Sequence, residues 1–246
     1  MPNKERADKL LVARGLANSR TKAQALIMAG LVVSDDKRVE KAGDLLNEDA
    51  PLRLKGKDHP YVSRGGVKLA HGLEHFEISP QGLVCLDLGS STGGFTDVLL
   101  RNGAEKVYAV DVGKGQLDWS LREHDQVVVL EGVNARHLTE EQVPEPIDLI
   151  TCDASFIGLE KILPAAIART TAHAHLIALI KPQFQAGREH VGKGGVVRNP
   201  EIHQMVCAAV TEWLEETAGW RVLGISESPI TGPKGNKEFL IAAKTG

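Results

Sequence analysis

Two hydrophobic periods divide the chain. Over ERADKLLVARGL, residues 5–16, Ala7, Leu10, Leu11 and Leu16 recur at helical spacing, and Gly15 stands where a left-handed cap ends a helix. Ser19 is placed to cap a second helix over TKAQALIMAG, residues 21–30, with Ala23, Leu26 and Ile27 as its stripe and Gly30 as its end. Short strands are predicted over LVVSDD (31–36), RVEKAGDLL (38–46) and PLRLK (51–55), with a turn at Asp35 and Asp36. Gly56, Pro60, Gly65 and Gly66 then break the pattern. The reading is a small domain over 1–58, a linker over 59–66 and a large domain over 67–246, opened by a helix in which Lys68 leads and Leu69, Leu73 and Phe76 face inward.

Beyond residue 80 apolar runs of strand length alternate with helical stretches. Strands are predicted near 84–88, 106–111, 127–131, 147–152 and 175–180; a helix over 201–219 precedes two closing strands, WRVLGISESP (220–229) and EFLIAAK (238–244). This is the pattern of an α/β fold built on a doubly wound, mostly parallel, seven-stranded sheet. Such a sheet binds ligands at the carboxyl ends of its strands, which here carry Asp87, Asp111, Asn134, Asp153 and Lys181.

The stretch VCLDLGSSTGGFTD, residues 84–97, joins a buried strand, a glycine-rich turn and a helix in which Phe95, Val98, Leu99 and Leu100 form the apolar face and Thr92 is the expected N-cap. Gly89, Gly93 and Gly94 let backbone approach a ligand. The spacing is not G-x-G-x-x-G, and Asp87 just before the turn repels a pyrophosphate while suiting a cationic ligand end such as that of S-adenosylmethionine. Asp111, at the end of the next apolar run, stands where a carboxylate accepts ribose hydroxyls. The cofactor site so assigned comprises Asp87, Gly89, Ser90, Ser91, Thr92, Gly93, Gly94, Phe95, Thr96, Asp111, Val112, Asn134, Ala135 and Asp153.

Charge changes the picture at the N-terminal end. The net charge of −3 hides an asymmetry: residues 1–70 hold 14 Lys and Arg against 9 Asp and Glu, or +5, and the remainder is −8. The basic end is the candidate polyanion contact, through Arg6, Lys9, Arg14, Arg20 and Lys22 on or beside the first two helices. Three cysteines without a C-x-x-C, at 85, 152 and 207, suggest neither disulfides nor a zinc site, and no metal is expected. The sequence has no apolar signal region and no stretch of membrane-spanning length, so a reducing cytoplasm is the expected location and a membrane partner is not expected.

Residues 10–33, LLVARGLANSRTKAQALIMAGLVV, resemble the small RNA-binding domain first described in a ribosomal small-subunit protein. SRGGVKL (63–69), DLGSSTGGFTD (87–97), DVGKGQL (111–117), CDASFI (152–157), IKPQF (180–184), GKGGVVR (192–198) and GNKEF (235–239) extend the likeness over essentially the whole chain. With these blocks in order, the sequence resembles the TlyA family of rRNA ribose 2′-O-methyltransferases, a branch of the FtsJ-like enzymes with a Rossmann-like class I methyltransferase domain.

The resemblance implies S-adenosylmethionine as cofactor, rRNA or ribosomal subunits as partner with a cytidine acceptor, and a Lys-Asp-Lys-Glu tetrad carried onto Lys68, Asp153, Lys181 and Glu238. Those residue types suit the chemistry. A protonated ribose hydroxyl is a poor nucleophile, whereas a sulfonium methyl is already activated, so the protein must activate and position the hydroxyl. Lys181 is assigned that role as base or as stabiliser of a developing alkoxide, with Asp153 and Glu238 orienting the lysines; which lysine becomes neutral is left open.

Arg64, Arg188, Lys193 and Arg198 on basic loops, with His190 beside them, are candidate phosphate contacts. Phe156, Phe184 and Phe239 adjoin tetrad positions and read equally as stacking or core residues. Cys152 reads as the buried last residue of its strand rather than a nucleophile, and DASF replaces the [DN]-P-P-[YFW] run of amino-methyltransferases. Two other functions stay open: a non-enzymatic RNA-binding or ribosome-assembly protein, and a membrane-active haemolysin, a name attached to the family. The oligomeric state is open, with a monomer favoured.

Overall fold

A computed structural model describes residues 4–17, 19–35, 37–54 and 59–245, and the chain divides into two compact units, 1–60 and 61–246. In the first, β1 (Lys4–Arg6) runs into α1 (Ala7–Ala13), followed by α2 (Arg20–Met28), β2 (Val32–Ser34), β3 (Lys37–Arg38), β4 (Leu45–Asn47) and β5 (Leu52–Leu54). The strands form a β3-β2-β5 sheet and a β1-β4 pair, all antiparallel. Ala7, Leu11, Ala23, Ile27, Val32 and Val39 share one core.

Ser19 caps α2 by accepting the Lys22 N–H at 3.1 Å, and Gly15 and Gly30 take φ of 69° and 72° after the two helices. The first helix starts later than its apolar pattern predicts, because Glu5 and Arg6 pair with Leu46 and Leu45 in a ladder. RVEKAGDLL is likewise not one strand: Asp44 accepts the N–H groups of Glu40 and Lys41 and folds its middle into a turn. Asp35, at φ 47°, makes the expected turn; Asp36, Lys55, Gly56 and Asp58 lie outside the described residues.

The second unit runs α3 (Gly65–His75), β6 (Val84–Leu88), α4 (Gly94–Arg101), β7 (Lys106–Asp111), α5 (Trp119–Arg122), β8 (Val127–Glu131), β9 (Ile147–Cys152), α6 (Leu159–Ile162), α7 (Pro164–Ile167), β10 (Thr170–Ile180), α8 (Pro182–Gln185), α9 (Pro200–Glu212), β11 (Arg221–Glu227) and β12 (Phe239–Lys244). Seven strands form one sheet in the order β11-β12-β10-β9-β6-β7-β8. The strand β12 is antiparallel to β10 and β11 on either side, and the other six strands run in one direction. The fold is therefore a Rossmann-like, mostly parallel doubly wound sheet.

Helices cover both faces, so β6 is buried between β7 and β9 and its alternating side chains enter two different cores. Leu86 and Leu88 pack with Tyr108, Val110, Ile150 and Cys152, whereas Cys85 packs with Leu69, Phe95, Leu99 and Leu149. Asp87 shares the face of Cys85, which turns it beneath α4.

Residues 61–64, read from composition as linker, are built into this unit. Val62 N–H donates to Asp97 Oδ2 at 2.9 Å, and Gly66 lies so close to Tyr61 that an added Cβ would come within 2.6 Å of the Tyr61 Cβ. The start of α3, and with it Lys68, is thereby fixed against α4.

Candidate active site

From β6 the chain winds outward to β7 and β8, then returns to β9 on the other side of β6. That reversal leaves a crevice at the carboxyl ends of β6 and β9, the favoured ligand position of such sheets. Two adjoining cavities of about 1030 and 540 Å³ open there and share Gly89, Ser91, Asp153, Ser155 and Phe156 as walls.

The smaller cavity is lined by Asp111, Val112, Asn134 and Ala135. Asp111 is held by two backbone donors, Ser91 N–H at 2.9 Å and Gly113 N–H at 2.7 Å, and Asn134 Oδ1 accepts the Arg136 N–H at 3.1 Å. Each Asp111 oxygen keeps acceptor capacity for a hydroxyl. Ser90, Thr92, Gly94 and Phe95 line the larger cavity. Gly89 suits its place because a Cβ there would meet Asp153 O and Ala154 Cα at 3.0 Å.

Asp87, Gly93 and Thr96, read from the sequence as cofactor contacts, line neither cavity. Asp87 is fully buried under α4, accepting the hydroxyls of Thr96 at 2.7 Å and Thr151 at 3.1 Å. Burial pushes its carboxyl up to about 7 against the opposing effect of these bonds. The Thr96 backbone N–H is also directed at it, so Asp87, not Thr92, serves the N-terminus of α4. Thr92 fails as a cap because Gly93 intervenes at φ 93°. A Cβ on Gly93 would strike the Leu121 side chain, so this glycine packs against α5.

On the floor of the larger cavity four charged side chains from distant parts of the chain meet. Lys68 Nζ lies 2.6 Å from Glu238 Oε2 and 3.7 Å from Asp153 Oδ2, while Lys181 Nζ lies 2.5 Å from Asp153 Oδ1. Lys181 also donates to Ser155 Oγ at 3.0 Å and to the Asp153 carbonyl at 3.3 Å. Asp153 Oδ1, in ion-pair contact with Lys181, and Glu238 Oε1 are buried carboxylate oxygens that accept no hydrogen bond from the described residues. Both residues line the cavity, which therefore suits a ligand bearing hydroxyl or amino protons.

The FtsJ-like methyltransferase model matches residues 61–245. The chain belongs to the FtsJ-like methyltransferase family. The S4 domain model matches residues 5–51 of this family member. Over its full length the chain is 44% identical to a Mycobacterium tuberculosis protein named 16S/23S rRNA (cytidine-2′-O)-methyltransferase TlyA, spanning 91% of that relative. It is 38% identical to Hemolysin A of Brachyspira hyodysenteriae over 96% of this chain and 98% of the other. A solved Streptococcus thermophilus structure with hemolysin in its name is 43% identical, with a TM-score of 0.77 over 100% of this chain and 89% of that one. Among the described residues no helix is long and apolar enough to cross a membrane.

Around the FtsJ-like site, Arg64 stands at the cavity wall and donates to Thr231 O at 3.2 Å. Lys193 and Arg198 are exposed and line neither cavity; the Arg188 side chain lies outside what is described. Phe156 is 87% exposed at φ 65° with its ring centroid 4.8 Å from that of Phe184. Both line the larger cavity, whereas Phe239 packs on His203.

In the first unit the basic residues are not a set of free cations. Buried Asp8 accepts from Arg6 at 3.0 Å through each oxygen, from Arg20 at 3.0 Å and from Gln24 at 3.1 Å. Arg14 donates to the Ala50 and Glu48 carbonyls, and Lys9 lies 3.5 Å from Glu5. Lys22 is exposed. Sequence reasoning also missed Ser155, Gln183, Lys234 and Asn236, which all line the larger cavity or bond to its lysine. Asn236 is buried and ties the Gly195 carbonyl and the Val197 N–H together at 3.0 and 3.2 Å. Ser155, Gln183 and Asn236 were signalled only by membership of the CDASFI, IKPQF and GNKEF runs, and Lys234, just before the last run, had no signal.

Proposed function

We propose that this protein transfers a methyl group from S-adenosylmethionine to a ribose 2′-hydroxyl of ribosomal RNA, with cytidine as the acceptor nucleoside. The observation that carries the proposal is the continuous set of charge contacts Glu238–Lys68–Asp153–Lys181 on the cavity floor beside the glycine turn. The cytidine 2′-O-methyltransferase name of the M. tuberculosis relative supports the choice of acceptor.

Asp111 and Asn134 in the smaller cavity fit a ribose and base, and the loop of Gly89 to Gly94 fits the rest of the cofactor without a Cβ at Gly89 to fill the space. When bound, S-adenosylmethionine supplies a methyl group already made electrophilic by its sulfonium sulfur. The protein's task is then to hold the hydroxyl in line and to remove its proton. Lys181 Nζ accepts that proton where the amine is neutral, or stabilises the alkoxide while Asp153 Oδ1 takes it; both routes need Lys181 at the nucleophilic oxygen. Ser155 is the partner Lys181 releases most cheaply on turning to the substrate, being its neutral side-chain contact. Lys68, clamped by Glu238, holds the other face of Asp153. Phe156 and Phe184 offer an aromatic wall for an unstacked base, and the S4-type unit supplies the RNA anchor.

The test incubates the full-length protein with labelled S-adenosylmethionine and ribosomal subunits from cells lacking it, followed by nucleoside mass spectrometry. The expected product is 2′-O-methylcytidine. Lys181→Ala is expected to lower the single-turnover rate by about 100-fold or more while leaving cofactor affinity near that of the wild type. Label on a base, or none on RNA, refutes the proposal.

A further inference from the structure

The loop 153–158 between β9 and α6 carries Asp153, Ser155 and Phe156, which line both cavities. Its start is fixed: the Asp153 N–H donates to the Leu88 carbonyl at 3.0 Å, and Lys181 holds the Asp153 carbonyl and Ser155 Oγ. Its middle is strained, since Phe156 stands at φ 65° and is too exposed for burial to keep it there. Such a conformation persists only where the surrounding structure over-determines it, so the far end of the loop has to be held as well.

Helix α8 holds it. Gln185 Oε1 accepts the Leu159 N–H at 3.1 Å, and Gln185 Nε2 donates to Glu160 Oε2 at 2.6 Å. These partners fix the orientation of the amide, because a backbone N–H only donates and a carboxylate only accepts. Gly158 is buried and has no Cβ to strike the Glu160 carboxylate, which lies back over the end of the loop. The Gln185 N–H donates in turn to the Lys181 carbonyl at 3.1 Å. One short helix thus grips both ends of the loop, and the Phe156 and Phe184 rings meet with centroids 4.8 Å apart.

We infer that Gln185 and Glu160 are positioning residues for methyl transfer, a latch that sets where Ser155 and Phe156 stand relative to Lys181 and Phe184; the inference rests on the function proposed above. Transfer needs the hydroxyl in line with the methyl group and Lys181 at its oxygen, while the acceptor base rests on the aromatic wall. Lys181 and Phe184 belong to α8 and the residue before it, whereas Asp153, Ser155 and Phe156 belong to the loop. The reacting groups therefore span two pieces of chain, and the junctions between those pieces set the alignment. Neither Gln185 nor Glu160 lines a cavity, so both act through the loop and not by touching the substrate.

The latch can be broken and then rebuilt with its polarity reversed. Gln185→Glu alone sets two carboxylates against each other. In the double variant Glu160→Gln/Gln185→Glu the carboxylate at 185 accepts both the Leu159 N–H and the new amide at 160, with the net charge of the wild type. The experiment measures single-turnover methyl transfer by the full-length protein to ribosomal subunits at saturating S-adenosylmethionine, together with Tm. Gln185→Glu is expected to slow transfer by about tenfold or more, the scale of a misplaced reacting group. The double variant is expected to return to within about threefold of the wild-type rate, as a coupled pair should. Gln185→Met, similar in length but able to make neither bond, is expected to be slowed like Gln185→Glu, and keeps the test decisive should the acidic variant not fold. A wild-type rate in either single variant overturns the inference, as does a double variant that melts like the wild type yet stays as slow as Gln185→Glu. The methyltransferase reading stands in each of those cases. Absence of any methyl transfer to RNA by the wild type overturns both.

Discussion

Asp87 and Asp111 end neighbouring strands, yet only Asp111 meets a cavity. The difference lies in direction: Asp87 points under α4 and gives its oxygens to Thr96 and Thr151. Its carboxyl titrates at about 7 in the folded chain because burial disfavours the charge, against about 4 when unfolded. Between those values the folded state keeps a proton that the unfolded state has lost. Stability is therefore expected to fall as pH rises from about 4 to about 7, and this contribution is level above that range. Asp87→Asn, whose amide accepts from one threonine hydroxyl and donates to the other, is expected to flatten that segment. Urea midpoints of both proteins from pH 4 to 8 measure it, and parallel slopes would show that Asp87 does not titrate in this way. Cofactor affinity at pH 7 is expected to stay unchanged.

The glycine turn before α4 is the element on which the site depends. Gly93 sits at φ 93° against Leu121, so Gly93→Ala meets both backbone strain and a packing clash. A loss of about 1–3 kcal/mol in stability is expected from the strained backbone, with weaker cofactor binding because Ser91, Thr92 and Gly94 shift with the turn. Denaturation and calorimetry read the two effects separately; a variant equal to the wild type in both would mean that the turn yields freely. The four-residue helices α5, α6, α7 and α8 were poorly legible in the sequence because one helical turn has too few apolar positions to show a period. Thr92 misled as a cap for a related reason: side-chain capping type is local, but whether the residue after it takes a left-handed turn depends on what packs there.

At the scale of the molecule, the chain combines an FtsJ-like unit with an S4-type unit, and the N-terminal part, with its excess of basic residues, is the proposed RNA anchor. A fragment of residues 61–246 is expected to fold, having its own sheet and two apolar cores. It should bind S-adenosylmethionine like the full chain and lose most of its affinity for ribosomal subunits. Filter binding across salt concentrations checks this, since removal of phosphate contacts lowers the slope of log K against log salt by about 0.7–0.9 per contact. Unchanged affinity and slope would move the anchor to the loops around Arg64. Asp8, which holds Arg6 and Arg20, makes single arginine substitutions a poor substitute for this truncation, because they would leave a buried carboxylate short of partners.

Periodicity by itself determined the seven strands of the large sheet and the residues near their carboxyl ends, because the face of a strand or helix that goes inward is written in its apolar spacing; the crevice between β6 and β9 followed only from the strand order. Ordered motifs named Lys68, Asp153, Lys181 and Glu238 together. Only the tertiary structure decided their contacts, since Lys68 and Glu238 lie 170 positions apart in sequence, and a polar side chain's partner is set by which elements pack against it. The same cause separates residues that look alike in sequence. Asp87 is sealed under a helix while Asp111 lines a cavity; Arg20 is paired through Asp8 while Lys22 is exposed. Gln185 is tied down and Gln183, two positions away on one short helix, is left with its oxygen unmet, because a helical turn sends neighbouring side chains in different directions and only the packed molecule supplies what each one meets.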